Sequence, residues 1–122
     1  MNILQGKNVF DVTGKVVIVT GAATGLGEGY AHIFAESGCK VACADINIAE
    51  AENTAADIRS QGGEAQAFRV DVTKRESIKT MVEEVLRTYG RIDVLVNNAG
   101  VEHIEPFTEV SESITISSQA LT

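Results

Sequence analysis

The residues with the clearest chemical use are glycines. Thr20 to Gly27 read TGAATGLG, a GxxxGxG spacing that follows a β-branched apolar run and precedes a helical pattern. A strand, a glycine turn and a helix start together bring backbone N–H groups and the positive end of a helix dipole to one point. That arrangement suits a pyrophosphate. Gly21 permits the sharp exit from the strand, while Gly25 and Gly27 let the backbone approach the phosphates. The competing reading is a turn that serves only the backbone.

The second chemical residue is Asp45, twenty positions after Gly25 at the end of the apolar run KVACAD. A carboxylate there accepts both hydroxyls of an adenosine ribose. It also repels a 2′-phosphate, by about 1 to 4 kcal/mol per charge pair at ~4 Å across plausible dielectrics. Neither Ala22 nor Ala23 offers a cation, and no Arg or Lys directly follows Asp45. The expected cofactor is therefore NAD, with NADP disfavoured. The competing reading of Asp45 is an acid that merely starts a helix.

These residues need elements to place them. Lys15 to Gly21 reads as a strand buried on both faces. From Gly25 a helix follows, with Leu26, Tyr30, Ile33 and Phe34 as its buried stripe and Gly38 as its stop. Lys40 to Asp45 is the second strand. Asn47 and Glu50 form a capping-box pattern that opens a helix buried through Ile48, Ala51, Ala55 and Ile58, ended by Gly62 and Gly63. A third strand runs from Ala65 to Val70. Thr73 and Glu76 form another capping-box pair, opening a helix with Ile78, Met81, Val82, Val85 and Leu86 on one face and a stop near Gly90. Ile92 to Val96 is the fourth strand. Strands alternating with helices in this way imply an α/β fold. The expected architecture is an incomplete, doubly wound, Rossmann-like parallel sheet with strand order 3-2-1-4.

Bulk properties narrow the partners. The chain has 122 residues and a net charge of −7, with no basic block, which argues against nucleic acid. The longest solid apolar run is Val16 to Val19, too short to span a membrane, and the start lacks a secretory layout, so a cytoplasmic location is expected. Cys39 and Cys43 fall on one face of a strand about 13 Å apart at ~3.3 Å per residue, beyond disulfide reach. They read as small buried side chains, with a metal or redox role as the alternative. Glu28, His32 and Glu36 form an i, i+4, i+8 row that reads as a solvated stripe, a metal site being the alternative. His103, between Glu102 and Glu105, reads as a surface residue, or as one near a substrate mouth. No metal set is assigned.

The motifs in order, TGAATGLG after KVVIV, then Asp45, then the DVT of Asp71 to Thr73, then the NNAG of Asn97 to Gly100, resemble the short-chain dehydrogenase/reductase family. The resemblance runs from about Phe10 to Val110. It implies an NAD-binding Rossmann-type part over residues 1–110 and an atypical polar tail over 111–122, where six of twelve residues are Ser or Thr. It further implies that Thr24, Gly25, Leu26 and Gly27 line the pyrophosphate, and that Gly21, Ile46 and Asp45 complete the nucleotide side. Asp71 would bond the adenine amino group with Val72 beside the ring. Asn98, Ala99 and Gly100 would border the ribose and steady the sheet.

In that family a Ser, and a Tyr followed four positions later by Lys, carry the chemistry. Here Tyr30 is followed at that spacing by Phe34 and Tyr89 by Asp93, and Ser117 and Ser118 stand too early. No catalytic residue is carried over, and the helix Asn of the family is also missing. The chain reads as the cofactor-binding part of an NAD-dependent alcohol/ketone oxidoreductase, truncated and inactive alone. A small alcohol or ketone would be its substrate only if the chain were complete. The alternative is a non-catalytic NAD-binding or interaction module. A methyltransferase using S-adenosylmethionine also pairs a glycine loop with a strand-end acid, but NNAG and the GxxxGxG spacing disfavour it.

Strand four would be a hydrophobic edge in this chain, and such edges invite association. The isolated chain is expected to be marginally stable or self-associating. Sedimentation and thermal melting over a concentration series test this; a sharp, reversible, monomeric melt at low concentration contradicts it.

Overall fold

The computed structural model of the chain describes residues 11–98. Five β-branched residues in a row make Val16–Thr20 (β1) a strand, and all five are buried. It leads through the glycine turn into helix Gly25–Glu36 (α1), then strand Lys40–Asp45 (β2), helix Ile48–Ser60 (α2), strand Glu64–Arg69 (β3), helix Arg75–Tyr89 (α3) and strand Val94–Asn97 (β4). All pairings are parallel and the order is β3-β2-β1-β4, as the alternation of elements implied.

Side-chain alternation along each strand divides the core into two layers. Val17 and Val19 of β1 and Val41 and Cys43 of β2 pack with Ala31 of α1 and with Ala51, Ala55 and Ile58 of α2. Val16, Ile18, Ala42 and Ala44 face the other way, against Ile78, Met81 and Val85 of α3 and against Phe68 and Leu95. Two helices therefore cover one face and one helix the other. Both cysteines are free and buried in the same layer. Burial pushes the Cys39 thiol up to about 11, and Asp93 adds to this. Burial likewise pushes Cys43 up to about 12, with Glu52 reinforcing it, so both stay protonated near neutrality.

The ends of the elements have local causes. Asn47 accepts the Glu50 N–H at 3.1 Å and so caps α2. Gly90 takes the left-handed conformation (φ 83°) and donates to Leu86 O at 2.8 Å, closing α3. At the opposite edge of the sheet from the glycine turn, Asp93 Oδ2 accepts the Val16 N–H at 2.8 Å and Arg91 Nε–H at 2.9 Å, fastening the entry of β4 to that of β1. The Arg91 hydrogen bond holds the Asp93 carboxyl below the usual carboxylate range.

Several sequence expectations are corrected. Leu26 is 71% exposed and Ile33 is 59% exposed, so they do not form the buried stripe of α1. Gly27 and Ala31 are the buried residues of α1, and Tyr30 and Phe34 of the expected stripe pack partly buried against the same core layer. Ile48 of α2 and Leu86 of α3 are likewise exposed. The Thr73–Glu76 box does not form: the Thr73 N–H and hydroxyl both donate to Asp71 Oδ1, and α3 begins one residue after Lys74. β3 starts at Glu64 and β4 at Val94, displaced from the expected 65 and 92 because pairing with β2 and β1 sets the register.

Gly29 of α1 is exposed, and a Cβ added there meets nothing within 4 Å. Glycine inside a helix costs about 1 kcal/mol relative to Ala. Gly29→Ala is expected to raise the melting temperature by roughly 4 °C, measured by circular dichroism. A fall would mean that the position does something other than propagate helix.

Candidate functional site

Because all four strands run the same way, their carboxyl ends share one edge. Thr20 lies in register with Ala44 on one side and Asn97 on the other, and Asp45 with Arg69. In open parallel sheets this edge, where the strand order reverses beside β1, is where ligands bind. The glycine turn, Asp45 and Asn98 all emerge there.

The turn is fixed residue by residue. Ala22 N–H donates to Ala44 O at 3.2 Å, continuing the sheet one step past β1. Ala23 N–H donates to Asp45 Oδ2 at 3.0 Å. Thr54, reaching in from α2, donates its hydroxyl to Ala22 O at 3.1 Å. Gly21 and Gly25 have φ of 68° and 63°, a region that side-chain-bearing residues avoid.

Gly27 has a different reason for being glycine. A Cβ there would collide with the Gly21 carbonyl oxygen and lie 2.6 Å from the Gly21 carbonyl carbon and 2.9 Å from Asn98 Nδ2. Beside the role expected of it toward phosphate, the missing side chain of Gly27 lets α1 seat against its own turn. The same contact brings the second Asn of NNAG over the start of α1.

The helix start is what a phosphate would meet. Thr24 is extended (φ −148°, ψ 166°) and makes no side-chain cap bond, so the first-turn N–H groups of Gly25, Leu26 and Gly27 have no partner inside the helix. α3 is also uncapped by a side chain. What distinguishes α1 is the glycine turn and the strand ends that surround it.

Asp45 makes two backbone contacts, one at the entry to α2 and one in the glycine turn. Oδ1 accepts the Asn47 N–H at 2.9 Å, organising the entry to α2, while Oδ2 holds the glycine turn. Each carboxylate oxygen has a further lone pair, so two ribose hydroxyls can still be accepted. Beside it Ile46 is 56% exposed, leaving an apolar side chain at the rim.

Asp71 stands past the end of β3. Its Oδ1 accepts both the Thr73 hydroxyl at 2.6 Å and the Thr73 N–H, and these bonds hold its carboxyl below the usual range. Its N–H donates to Ser77 Oγ at 2.8 Å, tying the loop to α3. Val72 is half-buried against the α3 layer. Asn97 is buried, and its Oδ1 lies 3.1 Å from Thr20 Oγ1, which is 3.3 Å from Val96 O. Ala99, Gly100 and His103 lie outside the described residues, as does the 111–122 segment.

The remaining candidates are placed away from this edge. His32 Nε2 is 3.4 Å from Asp57 Oδ2, so that histidine faces α2 across the helix pair. No three His, Cys, Asp or Glu side chains among the described residues gather as a metal set. A hollow of about 460 Å³ lined by Glu52, Arg59 and Gln66 lies along β3 and contains none of the motif residues. No helix among the described residues is long and apolar enough to cross a membrane.

Sequence reasoning missed Thr54 and Thr20. Thr20 stood in the quoted motif but was given no role. Thr54 sits at i+3 from Ala51 on the apolar stripe of α2, and a lone hydroxyl residue on such a stripe was a usable signal. Nothing in the sequence names Ala22 as its partner.

A parallel sheet in this order, with a glycine turn and an acid at adjoining strand ends, defines a Rossmann-like fold. The family model described as short chain dehydrogenase matches residues 15–119. The chain is 42% identical over 88 residues to an uncharacterised oxidoreductase of Bacillus subtilis, covering 72% of this chain and 32% of that protein. It is 39% identical over 102 residues to a D-threitol dehydrogenase of Mycolicibacterium smegmatis, covering 84% of this chain and 39% of that one. Among solved structures, a 7α-hydroxysteroid dehydrogenase complexed with NADH and 7-oxo glycochenodeoxycholic acid aligns with a TM-score of 0.69 and 35% identity, covering 70% of this chain and 34% of that chain. The chain therefore belongs to the short-chain dehydrogenase family, and it spans about a third of the length of these relatives.

Gly27→Ala forces α1 off its turn, and overpacking of this kind costs about 1 to 3 kcal/mol. A clear fall in melting temperature is expected, in contrast to Gly29→Ala two positions along. Equal melting of Gly27→Ala and the parent would show that the helix seats without the glycine.

Proposed function

We propose that this chain is the cofactor-holding part of an NAD-dependent oxidoreductase of the alcohol/ketone type. The observation that carries the reading is the meeting of three motifs at one sheet edge. The glycine turn presents the unpartnered N–H groups of α1, Asp45 stands beside it at the end of β2, and Asn98 reaches to Gly27. The residues fit a dinucleotide: the cradle is kept free of side chains at Gly25, and Asp45 retains acceptor capacity for ribose hydroxyls.

In this reading the α1 first turn and Thr24 hold the pyrophosphate, Asp45 the adenosine ribose, Ile46, Asp71 and Val72 the adenine, and Asn98, Ala99 and Gly100 the far side. Leu26, exposed at the start of α1, supplies an apolar wall. The bound nicotinamide would supply hydride transfer. The NADH complex of the hydroxysteroid dehydrogenase supports the cofactor class. The choice of NAD over NADP rests on Asp45 alone, since its carboxylate repels a 2′-phosphate.

No acid–base pair is assigned to this chain, because Tyr30 and Tyr89 lack a Lys four positions on. The same observation supports a second reading, a module that binds NAD without turning over substrate. The two differ in what the sequence encoded downstream of Thr122 would contain. A Tyr-x-x-x-Lys there favours the enzyme, and its absence the module.

Calorimetric titration of the 122-residue chain with NAD and NADP tests the cofactor assignment. NAD is expected to bind at least about tenfold more tightly, a difference of about 1.4 kcal/mol. Asp45→Ala is expected to erase most of that preference. Failure of both dinucleotides to bind removes both readings.

A further inference from the structure

The buried hydroxyl of Thr54 is the one polar group of α2 that reaches the glycine turn. Thr54 is 2% exposed and sits among the apolar residues Ala51, Ala55 and Ile58. A hydroxyl in such surroundings needs a partner. Its Oγ1 is 3.1 Å from Ala22 O and 3.4 Å from Glu50 O, one turn back in its own helix. The shorter contact crosses 32 residues of sequence to a peptide that is itself fully buried.

Ala22 is the residue where the sheet ends and the turn begins. Its N–H belongs to β2 through Ala44 O, and its carbonyl points the other way, to Thr54. The next N–H, of Ala23, belongs to Asp45. Three successive polar groups of the turn are thus held by β2 and α2 before the chain reaches the free N–H groups of α1. Among the described residues the Ala22 carbonyl has no other hydrogen-bond donor, so without Thr54 it would lack its partner among them.

We propose that Thr54 is a positioning residue for dinucleotide binding: by fixing the Ala22–Ala23 peptide it sets where the first-turn N–H groups of α1 point. This rests on the cofactor reading of the turn. It adds that α2, which contributes no residue to the proposed cofactor contacts, controls their geometry through one hydroxyl. Misplacement of a binding backbone weakens every hydrogen bond it makes, so loss of the hydroxyl is felt in affinity as well as in stability.

Two variants of the 122-residue chain separate these effects. Thr54→Val keeps the shape and removes the hydroxyl, whereas Thr54→Ser keeps the hydroxyl and removes a methyl. Val85→Ala, in the opposite core layer, is a control for lost stability alone. Amide hydrogen exchange is read on the ligand-free proteins, and NAD affinity by calorimetry. For Thr54→Val, the Ala23 amide should exchange about three- to tenfold faster relative to the β1 core, and the NAD dissociation constant should rise by a similar factor. Thr54→Ser should stay within about twofold of the parent on both readouts.

Val85→Ala should leave the ratio of Ala23 to core exchange unchanged. Equal Ala23 protection in Thr54→Val and the parent overturns the proposal, as does a serine variant that behaves like valine. If the parent does not bind NAD, the cofactor reading fails, and the ligand-free exchange still decides whether Thr54 holds the turn. Should Thr54→Val not fold, the parent decides by NMR. A protected Thr54 hydroxyl proton with a cross-peak to the Ala23 amide supports the bond; a hydroxyl in fast exchange with water overturns it.

Discussion

The approach of α1 onto its own preceding turn is the contact on which the rest of the site depends. The first turn of the helix lies so close to the Gly21 carbonyl that position 27 has no room for a single carbon. That closeness carries the N-terminus of α1 to the end of β1, where the neighbouring strands also end. It also brings Asn98 from the far side of β1 against the same turn. A helix standing one methyl group further out would carry its unpartnered N–H groups away from Asp45 and from the NNAG segment together.

Polar groups on both sides of β1 then hold what the close approach has assembled. On one side, Asp45 and Thr54 take the Ala23 N–H and the Ala22 carbonyl. On the other, Thr20 lies within hydrogen-bond distance of Asn97 and Val96. These bonds lie in or against a core of valine, alanine and isoleucine, where an unmade hydrogen bond costs about 1 to 3 kcal/mol. The Ala22 carbonyl and the Ala23 N–H of the turn are therefore both paired within the protein.

The strand order, the parallel pairing and the two-against-one distribution of helices were all legible in the sequence. Short β-branched runs alternating with helical patterns admit few other arrangements. The glycines, Asp45 and NNAG were legible because each marks a place where the backbone must turn or meet a ligand. The helix stripes were less legible. Leu26 and Ile33 fit a 3.6-residue period as well as Gly27 and Ala31 do, and hydropathy favours the larger pair. The fold reversed that choice, burying Gly27 and Ala31, while Tyr30 and Phe34 pack on the core as the period suggested. The Thr73–Glu76 pair failed for a related reason: Asp71 competes for the same hydroxyl from two residues away.

What the sequence by itself determined is the set of local instructions: the order of strands and helices, the glycines at their turns, and which acid closes β2. Membership of the short-chain dehydrogenase family follows from the order of those motifs, and the match over residues 15–119 agrees. Only the tertiary structure decided which residues hold the site together. Gly27 lets α1 seat against its own turn, Asp45 clamps that turn, and Thr54 joins α2 to it. The physical reason is distance along the chain. A hydroxyl and a carbonyl 32 residues apart leave no periodicity, spacing or composition signal, and they meet only when the sheet and both helices are in place.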